Sequence, residues 1–275
     1  MSEGLTRYYA CCFRYLLIAV MLLTSGCCAK TKPLPVLSIP RAATAQSPPG
    51  PIKLSYSFSE GTLGWEADFS DYSISRVDME LISGIRRLPS ELKTDAKGFY
   101  IQGNNNHNYD LFMYLRRRLG PEDGVKPNQA YLVTYHLILA SNAGSNCLSV
   151  IGSPGESVFL KAGAASLMPL AVVKDGAYRL NVDKGEVNLS GKHASLVGNI
   201  ANGLRCKDFA SPERVPYVSI TREHKHPVPV RANSKGELWL LVGTDSAYES
   251  VTGLYYQQVD VELMPVRRDA ASISN

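Results

Sequence analysis

The sequence predicts an all-β fold, two antiparallel sheets packed as a sandwich, behind an N-terminal targeting segment and a proline-rich linker. Three observations carry this. From Ile52 onward, runs of residues alternate apolar and polar with period two and are rich in β-branched and aromatic side chains. Turn-forming clusters of glycine, asparagine and lysine separate those runs. No segment carries a long amphipathic helical stripe. The 275 residues suffice for one large domain or two small ones, and 45% apolar with 20% charged residues is an ordinary globular mix.

The first 26 residues read as the targeting segment. Arg7 and Arg14 give a positive start, and Leu16 to Leu23 form an eight-residue apolar run. The uncharged stretch from Tyr15 to Ala29 has 15 residues, short for a membrane span. It ends in Leu23-Thr24-Ser25-Gly26-Cys27, which resembles a bacterial lipoprotein signal. That resemblance implies cleavage before Cys27 and acylation of Cys27. It also implies a lipid anchor in a bacterial cell envelope, at the outer membrane if the host has two. An ordinary secretory signal or an uncleaved anchor are the alternatives. Residues 27 to 51 then form a linker with six of the chain's 16 prolines, plus Lys30, Lys32 and Arg41. Such a stretch favours extended conformers and packs no core.

The strands follow in order. Leu54, Tyr56 and Phe58 alternate with Ser55, Ser57 and Ser59. Further strands are expected at Trp65 to Phe69, Ser75 to Ile82, Phe99 to Gln102 and Leu111 to Leu115, with one short helical turn at Glu91 to Lys97. Residues 130 to 140 place Tyr131, Val133, Tyr135, Leu137 and Leu139 on one face and Leu132 and Ile138 on the other. That strand is expected to be central and buried on both sides, with His136 a hydrogen-bonded core residue. Ser157 to Ala162, Tyr178 to Val182, Val215 to Thr221, Leu238 to Val242 and 254 to 263 complete the set. Turns are expected at Gly103-Asn104, Lys174-Asp175-Gly176 and Ser234-Lys235-Gly236. About ten to twelve strands in roughly 220 residues imply one jelly-roll-like sandwich, residues 52 to 265, followed by a polar tail, 266 to 275.

Several of these motifs resemble a known group. Phe58-Ser59-Glu60-Gly61 and Gly64-Trp65 look like the opening of galactose-binding-like jelly rolls, which include many carbohydrate-binding modules. Leu238-Trp239, Gly243-Thr244-Asp245-Ser246 and Leu254 to Val259 look like their closing strands. Asp110 to Tyr114, Gly152 to Val158 and Asn181 to Gly185 resemble an uncharacterised family of bacterial lipoproteins. In related modules a structural calcium often joins an early Glu to an Asp in the last strand. Glu60 fits, but Gln257 and Gln258 stand in place of that Asp, and no cofactor is expected.

Export places Cys147 and Cys206 in an oxidising compartment, where a disulfide across 59 residues is expected, with two buried thiols as the alternative. Such a closure stabilises by about 4 kcal/mol in the chain-entropy account. His224 and His226 share a strand face, as a metal pair might, but nothing is spaced to complete a site, and a polar surface strand is the plainer reading. No nucleophile elbow, H-E-x-x-H, P-loop or dinucleotide fingerprint occurs, so no enzyme is expected. The acid pairs Glu60 with Glu66 and Glu156 with Asp183 are the remaining catalytic candidates. A formal charge of +4, from 29 basic and 25 acidic residues spread along the chain, is not a nucleic-acid signature.

The expected ligand-binding residues are Asn106, Tyr109 and Asp110 in one asparagine-rich loop, then Glu156 and Asp183 in two others. Planar amides beside an aromatic ring suit sugar hydroxyls. Tyr114, Tyr248, Tyr255 and Tyr256 are further stacking candidates, each equally readable as a half-buried sandwich residue. Two functions remain open: a non-catalytic, glycan-binding sandwich tethered to the membrane, or a structural lipoprotein that docks an envelope protein.

Overall fold

The computed structural model describes residues 50–106, 111–147 and 152–267, the side chain of Glu213 excepted. The targeting segment, Cys27, the linker to residue 49, Tyr109, Asp110 and the tail after residue 267 lie outside the described residues. Ser47–Asn275 is a compact unit by itself.

Fifteen strands are present among the described residues. In chain order they are β1 (Ile52–Ser57), β2 (Glu66–Ser70), β3 (Tyr72–Ser73), β4 (Ile82–Arg87) and β5 (Lys97–Asn104). Then come β6 (Leu111–Leu119), β7 (Ala130–Ser141), β8 (Val158–Ala165), β9 (Ala171–Lys174) and β10 (Ala177–Leu180). The last five are β11 (Ala194–Asn199), β12 (Val218–Lys225), β13 (Val230–Arg231), β14 (Leu238–Ser246) and β15 (Val251–Pro265). A seven-stranded sheet runs β12-β7-β15-β5-β4, with β1 also on β15 and β13 also on β7. A five-stranded sheet runs β11-β8-β14-β6-β2, and a small sheet runs β3-β10-β9. All of these strand pairs are antiparallel, so the expected all-β sandwich is what the chain forms.

The 15-residue β15 is the spine of the larger sheet. One edge pairs with β7 along its length. The other pairs first with β5, through Val251 to Tyr256, and then with β1, through Gln258 to Leu263. A bulge between Tyr256 and Gln258 separates the two halves and adds one residue against β7. The core lies between the sheets. Tyr135, Leu137 and Leu139 of β7 and Leu254, Tyr256, Val259 and Val261 of β15 meet Met113, Leu115, Leu160, Leu240 and Val242 from the facing sheet. Phe58, Trp65 and Phe99 close one side through edge-to-face contacts, Phe58 to Phe99 at 5.5 Å between centroids. Each such fully buried side chain contributes roughly 1.5–3 kcal/mol of transfer free energy.

The two sheets differ on their outer faces. Phe112, Tyr114 and Leu241 of the smaller sheet point away from the core, but Leu180 and Val182 cover them. That sheet is therefore buried on both faces, which is why Leu111 to Leu115 reads as an unbroken apolar run. Among the described residues, no such layer covers the whole outer face of the larger sheet, where Thr134, Ser219 and Glu223 are exposed.

Several expectations are corrected. Ser75 to Ile82 is not a strand. Glu80 sits at φ 47°, a left-handed conformation that ends any extended run, and β4 starts only at Ile82. Gly103-Asn104 is not a turn but the end of β5. A Cβ on Gly103 would sit 2.5 Å from Leu111 Cδ2, so this glycine permits close strand packing. β7 is central, yet Leu132 and Ile138 are only partly buried. His136 is not a core residue: its side chain is 39% exposed, because strand alternation turns it outward between the buried Tyr135 and Leu137.

Candidate ligand-binding face

Alternation and register build a row of side chains across the open face of the larger sheet. Phe99 and Ile101 enter the core, so Tyr100 turns to the other face, where its neighbours cover it to 7% exposure; Leu254 and Tyr256 likewise turn Tyr255 to that face, where it stays partly exposed. Register then aligns Gly84 (β4), Tyr100 (β5), Tyr255 (β15), Ala140 (β7) and Ser219 (β12). The two tyrosine rings are 4.7 Å apart at 46°, and Tyr217, just before β12, meets Tyr255 edge-on at 5.5 Å. The Arg86 guanidinium lies 4.6 Å above the Tyr100 ring. Small residues flank the aromatic group. Gly253 leaves room for the Tyr100 hydroxyl, which a Cβ would approach to 2.6 Å. Tyr100 Oη donates to Gln102 Oε1 at 2.5 Å. Burial pushes the Tyr100, Tyr217 and Tyr255 phenols above their ordinary range, so all three remain neutral donors. A cavity of about 270 Å³ opens here, lined by Tyr100, Gln102, Tyr217, Tyr248, Ser250 and Gly253 among others.

A second cavity, about 470 Å³, lies further along the same face. There register aligns Ser55 (β1), Asp260 (β15), His136 (β7) and Glu223 (β12). The Asp260 carboxylate accepts from Ser55 Oγ at 2.6 Å and from Gln258 Nε2 at 2.8 Å. His136 Nδ1 lies 3.2 Å from it. A carboxylate only accepts, so Nδ1 carries the proton that this contact uses. His136 and Ala140 are four residues apart on β7, which puts the two ends of the face roughly 13 Å apart.

Of the expected binding residues, Asn106, Glu156 and Asp183 are described and line neither cavity, while Tyr109 and Asp110 lie outside the described residues. Asn106 Oδ1 accepts from Arg76 at 2.5 Å and its Nδ2 donates to Asp78 at 3.3 Å. Glu156 is exposed and accepts the Asn146 N–H at 3.2 Å. Asp183 accepts the N–H groups of Gly185 and Lys192, both at 2.9 Å, which hold its carboxyl below the ordinary range. Glu66 is ion-paired with Arg116 at 3.1 Å. A general acid needs a raised carboxyl, so Asp183 is not poised for that role. Cys147 and Cys206 form a disulfide. Tyr114, Tyr248 and Tyr256 are buried; among the described stacking candidates only Tyr255 reaches the open face. Tyr100 and Tyr217 were missed. Strand alternation in Lys97 to Asn104 carries the signal for Tyr100, since it separates that residue from Phe99 and Ile101.

Two further polar clusters are enclosed. His224 Nε2 and His226 Nδ1 both contact Ser195 Oγ, at 2.6 and 2.7 Å, and His226 Nε2 donates to the Lys192 carbonyl at 3.0 Å. Burial lowers both histidines, His224 to about 4. His226 is thus interior, not a surface residue, and Ser195 is shut away at 1% exposure, out of reach of a substrate. Beneath the Lys184–Gly191 loop, Asp245 meets Lys184 at 2.7 Å and Lys161 at 3.0 Å, and Asp71 meets Lys184 at 3.2 Å. Burial pushes Asp245 up and Lys161 down. Among the described residues, no group of three or more His, Cys, Asp or Glu side chains is placed to hold a metal ion.

No protein-family profile and no curated protein sequence matches the chain. Among solved structures it is similar to an arabinose-bound α-L-arabinofuranosidase, at 10% identity and TM-score 0.36, over 74% of this chain and 23% of that one. It is similar to carbohydrate-binding modules from the β-sandwich superfamily, at 8% identity and TM-score 0.32, over 77% of this chain and 61% of that one. A module in complex with β-1,4-galactotriose gives 7% identity and TM-score 0.33, over 74% and 92%. The chain thus spans about a quarter of the first and under two thirds of the second. At these TM-scores the likenesses carry no argument about activity, and the functional reading rests on the tyrosine row itself.

Proposed function

We propose that the open face of the seven-stranded sheet binds a neutral or weakly charged carbohydrate without cleaving it, on a domain tethered to a bacterial envelope by a lipid at Cys27. The observation that carries the binding reading is the part-exposed Tyr255, backed by the buried Tyr100 and flanked by Tyr217, with open space beside Gly84 in the same row. Uncharged sugars are held by apolar stacking with a few placed hydrogen bonds. Gln102, Gln257, Ser219 and the phenols supply those bonds on the same face; Gln257 Nε2 already donates to Ser219 Oγ at 2.8 Å. The anchor is supported by the Leu23-to-Cys27 motif and the proline-rich stretch after it.

The test is titration of Ser47–Asn275 with a panel of envelope and plant oligosaccharides. Affinity in the range of roughly micromolar to millimolar is expected. Tyr255→Ala should weaken binding about fivefold to tenfold without unfolding the domain. The paired change Asn106→Ala, Tyr109→Ala tests the loop as an additional subsite. Loss with the loop pair and none with Tyr255→Ala would move the site from the sheet to the loop.

A further inference from the structure

One end of the sandwich is basic, and the chain enters the domain there. Ile52, at the start of β1, is opposite Leu263, and Leu263 is opposite Val133. Around this end, Lys126, Lys192, Lys225, Arg231 and Arg267 are all exposed. Their placement is fixed by the strands. Lys225 is opposite Thr134, Arg231 is opposite Ala130, and the Val266 N–H donates to the Ala130 carbonyl, which brings Arg267 alongside. The Lys126 N–H donates to Tyr131 Oη, and the Lys192 carbonyl accepts from His226. None of the five is ion-paired among the described residues. The acids at this end have their own partners: Glu262 with Lys53, Glu122 and Glu237 with Arg118, Asp123 with the Gly120 N–H, and Asp183, beside His193, with the Gly185 and Lys192 N–H groups.

Within the patch lies a cavity of about 240 Å³, lined by Lys192, His193, Arg231 and Ser166 and walled by Pro229 and Val230. No carboxylate lines it. Two cations beside a hydroxyl, Arg231 steadied by its bond to the Asn128 carbonyl at 2.7 Å and Lys192 free to swing, suit the oxygens of a phosphate. Met264, 45% exposed and on β15 at this same end, adds an apolar contact of the kind that enters a headgroup layer.

We infer that this end of the sandwich docks on an anionic phospholipid surface, with a headgroup phosphate seated between Lys192, Arg231 and Ser166. The partner is chosen by charge complementarity and by the point of entry of the chain. The stretch between Cys27 and Ile52 joins the domain at this end and carries Lys30, Lys32 and Arg41, charge of the same sign. The inference rests on the anchoring reading for the direction the domain faces. The unit Ser47–Asn275 contains every described strand, the core and the disulfide and lacks Cys27, so the surface can be tested apart from the anchor.

Sedimentation of that unit with mixed phosphatidylglycerol and phosphatidylcholine vesicles should show binding. Phosphatidylcholine alone should give none, and added salt should release the bound protein. The double change Lys192→Gln, Arg231→Gln should weaken binding about 25-fold, taking about fivefold per cation near a charged surface. Lys207→Gln with Arg214→Gln removes the same charge near the Ser145–Arg205 bridge, at the opposite end, and should leave binding intact. Circular dichroism confirms that each variant is folded. No binding to anionic vesicles, or equal loss with the distal pair, would overturn the inference.

Discussion

Tyr255 and Tyr256 are neighbours in sequence and opposites in space. Tyr256 is fully buried in the core, and Tyr255 lies on the open face against Tyr100. Period-two alternation makes that split legible once β15 is recognised. What the sequence withholds is which outer face stays open. Tyr114 alternates outward as cleanly as Tyr255, yet it is buried under the loop and small sheet that cover β6. Likewise the pairing of His136 with Asp260 joins residues 124 apart and depends on register alone. The enclosed His224 gives a prediction at this scale. Its folded value, about 4, lies below the ordinary 6.5, so the unfolded chain binds the proton more readily between those limits. Stability is therefore retained above about pH 6.5 and falls as pH drops toward 4. The urea midpoint should decrease from pH 7 to pH 5, and His224→Gln should flatten that decrease. An unchanged slope in the variant would contradict the assignment.

At the scale of elements, the alternating segments β1, β7 and β15 were readable, because one face of each is buried and the other polar or half-covered. The short edge elements were not. β9, β13 and β11 are two to six residues long, and tertiary pairing decides them more than local pattern. Ser75 to Ile82 shows the reverse failure: its apolar spacing mimics a strand, yet Val77 is left exposed and Met79 plugs the core from a loop. The disulfide ties Cys147, which follows β7, to the short helical turn Cys206–Asp208. Replacing both cysteines by serine should cost about 2–4 kcal/mol, read as a lower denaturant midpoint in the oxidised protein. In the core, Leu137→Ala should cost about 2–5 kcal/mol, since β7 is held between β15 and β12 and the cavity cannot easily collapse. A change under 1 kcal/mol would mean that the strand is not the packed centre described.

For the whole molecule, the sandwich class was legible and the site was not, for one physical reason. The fold class follows from the number and spacing of amphipathic strands, which is local information. The ligand-binding face follows from which sheet is left uncovered, and that depends on where a three-stranded flap comes to rest. The resulting asymmetry, one sheet covered on both faces and one less covered, gives the molecule a tyrosine-bearing face apart from its basic end. The proposed anchor is checked independently: Cys27→Ser should leave the precursor uncleaved and unlabelled by fatty acid, and normal processing would remove the lipid from the account.

The most direct test of the binding reading is calorimetric titration of Ser47–Asn275, wild type beside Tyr100→Ala and Tyr255→Ala, with neutral oligosaccharides up to millimolar concentration, the products being assayed for released sugar. Saturable binding that is nearly independent of salt, weakened in both variants and accompanied by no released sugar, is the predicted result. No binding across the panel, or steady release of sugar, would contradict it.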